Sequence, residues 1–214
     1  MAESSTAQRY LPADPSTLSL AEVRRRARKC QACPLYLLGT QTVFGEGPAE
    51  ARVVLVGEQP GDQEDKAGRP FVGPAGKLLD DALAAAGIER GDVYVTNAVK
   101  HFKWKPAGKR RLHQKPSARE IAACRPWLEA ELKLLRPAVV VALGATAAQS
   151  LMGPAFRVTR DRGRPFDVPW AKIFFATVHP SSILRGPPED REANLAQFVA
   201  DLKKVAAHKA FKSR

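Results

Sequence analysis

Four short runs of apolar, aromatic or β-branched residues punctuate the chain: Val53–Val56, Val93–Thr96, Val139–Leu143 and Ile173–Val178. Apolar character without alternation over so few residues predicts strands covered on both faces. Between them, apolar residues recur at helical spacing. A helix is predicted from Ser19, with Leu20, Val23 and Ala27 on one face and Arg24, Arg25, Arg26, Arg28 and Lys29 filling the rest. A second covers about Ala75–Ala86 and stops at Gly87. A third opens at Ser117, where Ser-Ala-Arg-Glu120 has the form of a capping box, and runs toward Leu135, with Pro126 expected to kink or divide it. Two more cover about Ala145–Met152 and Glu192–Ala207. Strands alternating with helices predict an α/β fold: a single three-layer α/β/α domain around a central, mostly parallel four-stranded sheet. That domain is expected to span residues 18–207. Residues 1–17 are polar, Pro-bearing and aperiodic, which predicts a mobile N-terminal arm, and residues 208–214 read as a basic C-terminal tail.

Composition narrows the choice of partner. At 44% hydrophobic and 26% charged residues, the chain has the make-up of an ordinary globular protein. Thirty-four Lys and Arg against 22 Asp and Glu give a net charge of +12, which favours an anionic partner, either nucleic acid or an acidic membrane surface. The membrane is disfavoured because the longest nearly apolar stretch, Ala138–Ala148, falls short of the roughly 20 residues that cross a bilayer. The opening MAESSTAQRY has no signal-peptide pattern, so a cytoplasmic protein is expected. Nothing requires more than a monomer.

In parallel α/β folds, ligands bind beyond the carboxyl ends of the strands. There the first strand runs into Gly57-Glu58-Gln59-Pro60-Gly61-Asp62-Gln63-Glu64-Asp65, the second into Asn97, and the last into His179-Pro180-Ser181-Ser182-Ile183-Leu184-Arg185. The first of these is either a tight turn or a carboxylate and amide poised to position a nucleophile or water. Lys100–Arg119 holds eight basic residues and no acidic one, with Phe102 and Trp104 interleaved. Cations alternating with aromatic faces suit a nucleic-acid backbone and its bases; a disordered charged loop is the alternative. Within it, His113 follows Lys109-Arg110-Arg111, and neighbouring positive charge predicts a neutral, nucleophilic imidazole. Cys30 and Cys33 form a C-x-x-C, and Cys124 supplies a third thiol. A closed site wants four ligands. His208 lies in the tail, while His113 and His179 sit in the strand-end loops, which leaves His101. Three Cys and one His suit zinc or an iron–sulfur cluster equally, and a merely buried Cys124 is the alternative.

Five motifs in order resemble the uracil-DNA glycosylase superfamily in its iron–sulfur branch. They are Gly57 to Asp65, Gly68-Arg-Pro-Phe-Val-Gly-Pro-Ala-Gly76, Val95-Thr-Asn-Ala-Val-Lys100, Ala123-Cys-Arg-Pro-Trp-Leu128 and His179 to Arg185. Three departures from the hydrolytic members, Gln59, His101 and the Lys109-Arg-Arg-Leu-His113 segment, resemble the UdgX subgroup, although Leu112 stands where that subgroup has Ile. The resemblance implies a glycosylase that excises uracil from DNA, single-stranded DNA favoured, and is captured on the abasic C1′ through His113. It implies catalytic roles for Glu58, Gln59, His113 and His179, and base binding by Phe71, Asn97 and the backbone at Gly57 and Gln59. It further implies DNA contacts from Lys109, Arg110, Arg111, Ser181, Ser182, Leu184 and Arg185. A [4Fe–4S] cluster on Cys30, Cys33, His101 and Cys124 is implied, with zinc as the alternative. A hydrolytic turnover enzyme and a non-catalytic uracil-DNA-binding module are the competing readings.

Overall fold

The computed structural model describes residues 6–212. In chain order its elements are α1 (Leu20–Ala27), β1 (Val53–Gly57), α2 (Asp62–Ala67), α3 (Pro74–Ala85), β2 (Val93–Asn97), β3 (Trp104–Ala107), β4 (Arg110–His113), α4 (Ala118–Leu135), β5 (Val139–Leu143), α5 (Ala145–Met152), α6 (Val158–Asp161), β6 (Phe166–Val168), β7 (Ala171–Thr177), α7 (Pro180–Arg185), α8 (Arg191–Ala207) and α9 (Lys209–Lys212).

The main sheet has the order β2-β1-β5-β7-β6. Its first four members are parallel, with Leu55 of β1 registered between Val95 and Val141. Their central residues are apolar because helices cover both faces. On one face, Leu79 and Leu83 of α3 meet Phe198 and Leu202 of α8 over Val53, Val95 and Phe175. On the other, Leu128 and Leu132 of α4 and Ala147 of α5 cover Val54, Tyr94 and Phe174. A satellite core packs Val23 and Ala27 of α1 against Trp127 of α4. Ser19 and Ser117 form capping boxes with Glu22 and Glu120 at the starts of α1 and α4.

The structure departs from expectation in four places. A fifth strand, β6, adds antiparallel to the edge of β7. Helix α4 runs unbroken through Pro126. Residues 6–17, expected to be a free arm, lie against α4: Ala7 is fully buried, the Tyr10 and Trp127 rings are 6.1 Å apart, and Asp14 pairs with Lys133 at 2.8 Å. The first five residues lie outside the described part. The tail is structured through residue 212, with Ala210 buried and the His208 ring 5.6 Å from Phe175. Among the described residues, no helix is long and apolar enough to cross a membrane. Parallel strands send all their carboxyl ends to one rim, and the β3–β4 hairpin stands beside that rim.

Candidate active site

The rim opens onto a cavity of about 390 Å³. Glu58 and Gln59 reach it from β1, Asn97 from β2, Leu143 to Thr146 from β5 and α5, and His179 from β7, with Phe71, His113 and Arg185 at its sides. Gly57 closes β1 because a side chain there would strike Asn97 Oδ1 and the Phe71 ring. Phe71 has φ +55°, a conformation that costs a non-glycine residue roughly 1–2 kcal/mol. Gly76 permits it, since a Cβ at that position would overlap the Phe71 carbonyl. The Phe71 ring consequently lies nearly parallel to the His179 ring, with centroids 6.0 Å apart. Glu64 joins the two loops involved: its carboxylate accepts from Gly61 N at 3.1 Å and from Gly73 N at 2.8 Å. Thr146 lines the cavity with no signal in the sequence, whereas Glu64 and Lys115 stand out there only as members of the run after Gly57 and of the basic stretch.

His179 is the N-cap of α7, and its Nδ1 accepts from Ser181 N at 3.1 Å while Ser181 Oγ lies 2.8 Å away. A ring nitrogen that accepts an amide proton carries none itself, so the neutral ring bears its proton on Nε2. Burial first, then the charges of Arg185 and His113, push the His179 pKa down to about 4. The site thus holds a neutral imidazole with a fixed donor.

His113 is placed by longer-range contacts. In the hairpin, Trp104 pairs with His113 and Pro106 with Arg111, so these four share one face, while Lys105, Arg110 and Leu112 share the other. Gly108, at φ +57°, makes the two-residue turn. The first face meets the body through Trp104 and Arg111, while Pro106 and His113 stay exposed. There the Arg111 guanidinium lies over the Phe102 and Trp104 rings, each 5.4 Å away, and bonds Asp62 and, at 2.7 Å, the fully buried Asp65. Gln59 holds both roots of the hairpin: its Nε2 donates to Lys103 O (3.2 Å) and Gln114 O (3.1 Å), and its Oε1 accepts from Lys103 N (3.2 Å). The result sets His113 Nε2 3.3 Å from Glu58 Oε1. Burial lowers the His113 pKa against the pull of Glu58, with Arg185 assisting. The direction agrees with the neutral ring expected from the sequence, but it comes from desolvation at the cavity edge and from Arg185, not from Lys109, Arg110 and Arg111.

Several expected contacts are redirected. Arg111 anchors the hairpin to the body and does not project outward. Phe102 is buried beneath it, so of the two aromatics only Trp104 reaches the surface. Within the basic stretch, Lys100 and Lys103 pair with Glu131 and Glu120, leaving Lys105, Lys109, Arg110, Lys115 and Arg119 exposed. The Gln59 amide is committed to the hairpin. Ser182 Oγ donates to His179 O at 2.7 Å, and the half-buried Leu184 has its carbonyl bonded by Arg191.

Burial, with Cys30 nearby, raises the Cys33 thiol, and burial, reinforced by Cys30 and Cys33, pushes Cys124 up to about 12. Trp127 Nε1 donates to Cys30 Sγ at 3.2 Å and Lys100 N to Cys124 Sγ at 3.3 Å, the kind of support that thiolate ligands receive. These two donors would suit thiolates in a metal-bearing group, although the three sulfurs do not close around one as they stand. His101 does not complete it in this arrangement: its Nε2 lies 3.0 Å from Thr42 Oγ1, and among the described residues no three His, Cys, Asp or Glu side chains form a metal-holding group.

The profile of the Uracil DNA glycosylase superfamily matches residues 44–203, which include every strand of the sheet and the whole cavity. The chain is 46% identical over 164 residues to the Type-4 uracil-DNA glycosylase of Thermotoga maritima, covering 76% of this chain and 82% of that protein. It is 37% identical over 194 residues to the Type-4 uracil-DNA glycosylase of Archaeoglobus fulgidus, covering 87% and 92%. Against the Type-5 uracil-DNA glycosylase of Thermus thermophilus it is 36% identical over 146 residues, covering 61% and 62%. A parallel sheet with this cavity at its carboxyl rim and matches over most of its length place the chain in the uracil-DNA glycosylase superfamily.

Proposed function

We infer that the protein is a DNA glycosylase that cleaves the N-glycosidic bond of uracil in DNA and is then captured on the product through His113. The observation that carries this reading is His113 Nε2 at 3.3 Å from Glu58 Oε1, at the edge of the cavity, on a hairpin anchored to the body by Arg111. In this reading a flipped uracil stacks on Phe71 and presents its Watson–Crick edge to Asn97, with backbone at Gly57 and Gln59 against the base. The C1′–N1 bond breaks with its electron pair going to the base, and the Nε2–H of His179 donates to the developing anion at O2. A ring nitrogen of His113 forms the new bond to C1′, and the ring proton passes to Glu58. Unlike a water molecule, an imidazole joined to C1′ does not diffuse away, so the reaction ends as an adduct.

Exposed Lys105, Lys109, Arg110 and Lys115, with Ser181, Ser182, Leu184 and Arg185 across the cavity, supply the DNA contacts. Single-stranded DNA is favoured because it spares the few kcal/mol that flipping from a duplex costs. Cys30, Cys33 and Cys124, with His101 turned from Thr42, would hold a [4Fe–4S] cluster. That group would serve to order the segment between α1 and β1 against α4. The protein acts as a cytoplasmic monomer.

One denaturing gel tests the reading. Wild type incubated with a labelled uracil-containing single strand gives a band that resists heat and detergent, and His113→Ser loses it while still generating abasic DNA. Wild-type product that is alkali-cleavable but unshifted would make the protein a hydrolytic glycosylase, with Glu58 activating water.

A further inference from the structure

A second polar cluster is buried behind Asn97, which lines the cavity, and has no part in the chemistry above. Lys100 and Glu131 are buried to 1% and 0% exposure, and Lys100 Nζ lies 2.5 Å from Glu131 Oε2. All three ammonium protons have acceptors, since Nζ also bonds Thr96 Oγ1 at 2.7 Å and the Asn97 carbonyl at 2.8 Å. Glu131 is equally satisfied, by Gly45 N (3.0 Å), Tyr94 Oη (2.9 Å) and Thr96 Oγ1 (3.0 Å). A buried ion pair is a poor source of stability, because well-packed apolar residues in its place are often as good or better. Its value must lie in what it holds.

What it holds is the residue at the end of β2. Beyond Asn97 the chain leaves the sheet: Ala98 N donates to Gly57 O at 2.9 Å and Val99 N to Glu58 O at 3.0 Å. The Asn97 carbonyl points the other way and takes its proton from Lys100, three residues along. Lys100 is itself pinned by its amide on Cys124 Sγ and its carbonyl under Val43 N at 2.8 Å. The Asn97 carbonyl and the two amides that follow it are thereby tied to Glu58, to Gly57 and, through Lys100, to α4. An apolar residue at position 100 would fill the space and leave that carbonyl without its donor.

We propose that Lys100 and Glu131 are a positioning pair that fixes the attitude of Asn97 and so sets how strictly the cavity discriminates uracil from other bases. The inference rests on the reading of Asn97 as the residue that meets the base edge. Its test replaces both charges together, Lys100→Met with Glu131→Leu, so that no lone charge is left buried. The double variant is expected to melt below wild type, because the Asn97 carbonyl, Gly45 N and the Tyr94 hydroxyl lose their partners, yet to fold and to bind an oligonucleotide carrying a tetrahydrofuran abasic analogue with unchanged Kd. Its single-turnover excision of uracil falls about 100-fold, the scale of a small misplacement in a site, and its preference for uracil over thymine and cytosine relaxes. Wild-type excision and selectivity in the folded double variant would overturn the proposal. If the double variant does not fold, Thr96→Val removes the hydroxyl shared by both charges at little change in shape. It is expected to lose about tenfold in uracil excision, one site hydrogen bond's worth, and wild-type behaviour there would likewise overturn the proposal. Asn97→Ala is run alongside: if it leaves excision and selectivity untouched, the base-edge reading itself fails and takes the pair's role with it.

Discussion

The two cavity histidines are held in opposite ways. His179 is fixed by its own helix: its nitrogen is bonded by the backbone and hydroxyl of Ser181, two residues along. His113 is fixed by residues far away in sequence, through Arg111 to Asp62 and Asp65, Gln59 to both hairpin roots, and Glu58 to the ring. A local device costs little to maintain and comes with the strand–helix junction. The hairpin device can be loosened without disturbing the sheet. Leaving-group stabilisation and capture should therefore be separable by mutation.

The largest separation is expected from Arg111→Ala, which frees the hairpin from two carboxylates and from the Phe102 and Trp104 rings. Covalent capture should fall about 100-fold while excision falls far less, since misplacement of this kind penalises the group that must attack. Single-turnover gels that follow abasic product and shifted band together read both. Gln59→Ala removes the hydrogen bonds to both hairpin roots but leaves Arg111 in place, so only part of their worth reaches the ring and capture should drop about tenfold. Ser181→Ala leaves the amide bond to His179 Nδ1 intact, and should slow excision and capture alike by about threefold.

The smallest effect is a shift in pH dependence. His113 must be neutral to attack, and desolvation holds its pKa below that of an ordinary imidazole, so the acid limb of capture in the wild type should lie below that of a free histidine. Arg185 disfavours the charged ring; removing it in Arg185→Ala raises the His113 pKa, and capture should fail at a higher pH than in the wild type. Capture rates at saturating DNA across the acid range measure the limb, which is expected to move upward.

The contrast also explains what could be read from residues alone. The four parallel strands were legible because burial on both faces leaves an apolar run, and Glu58, Asn97 and His179 were legible as polar residues at their ends. β6 was not, being three residues at a sheet edge with Asp167 facing water. In sequence the hairpin has the look of a charged stretch because Pro106 and the cations mask its alternation, although Gly108 between two alternating segments is a turn signal. Nothing local to Arg111 shows that its partners lie 46 and 49 residues earlier. The N-terminal segment failed in the same manner, since Ala7 and Leu11 are too few apolar anchors to form a pattern. Capping and burial are written locally; long-range ion pairs are not.

The capture step is tested most directly by finding the atom that carries the DNA. The adduct formed on a uracil-containing oligonucleotide would be digested with nuclease and trypsin and sequenced by mass spectrometry. The account predicts the deoxyribose remnant on His113, in the peptide Leu112–Arg119. A remnant on any other residue, or none in a sample that has released its uracil, would contradict it.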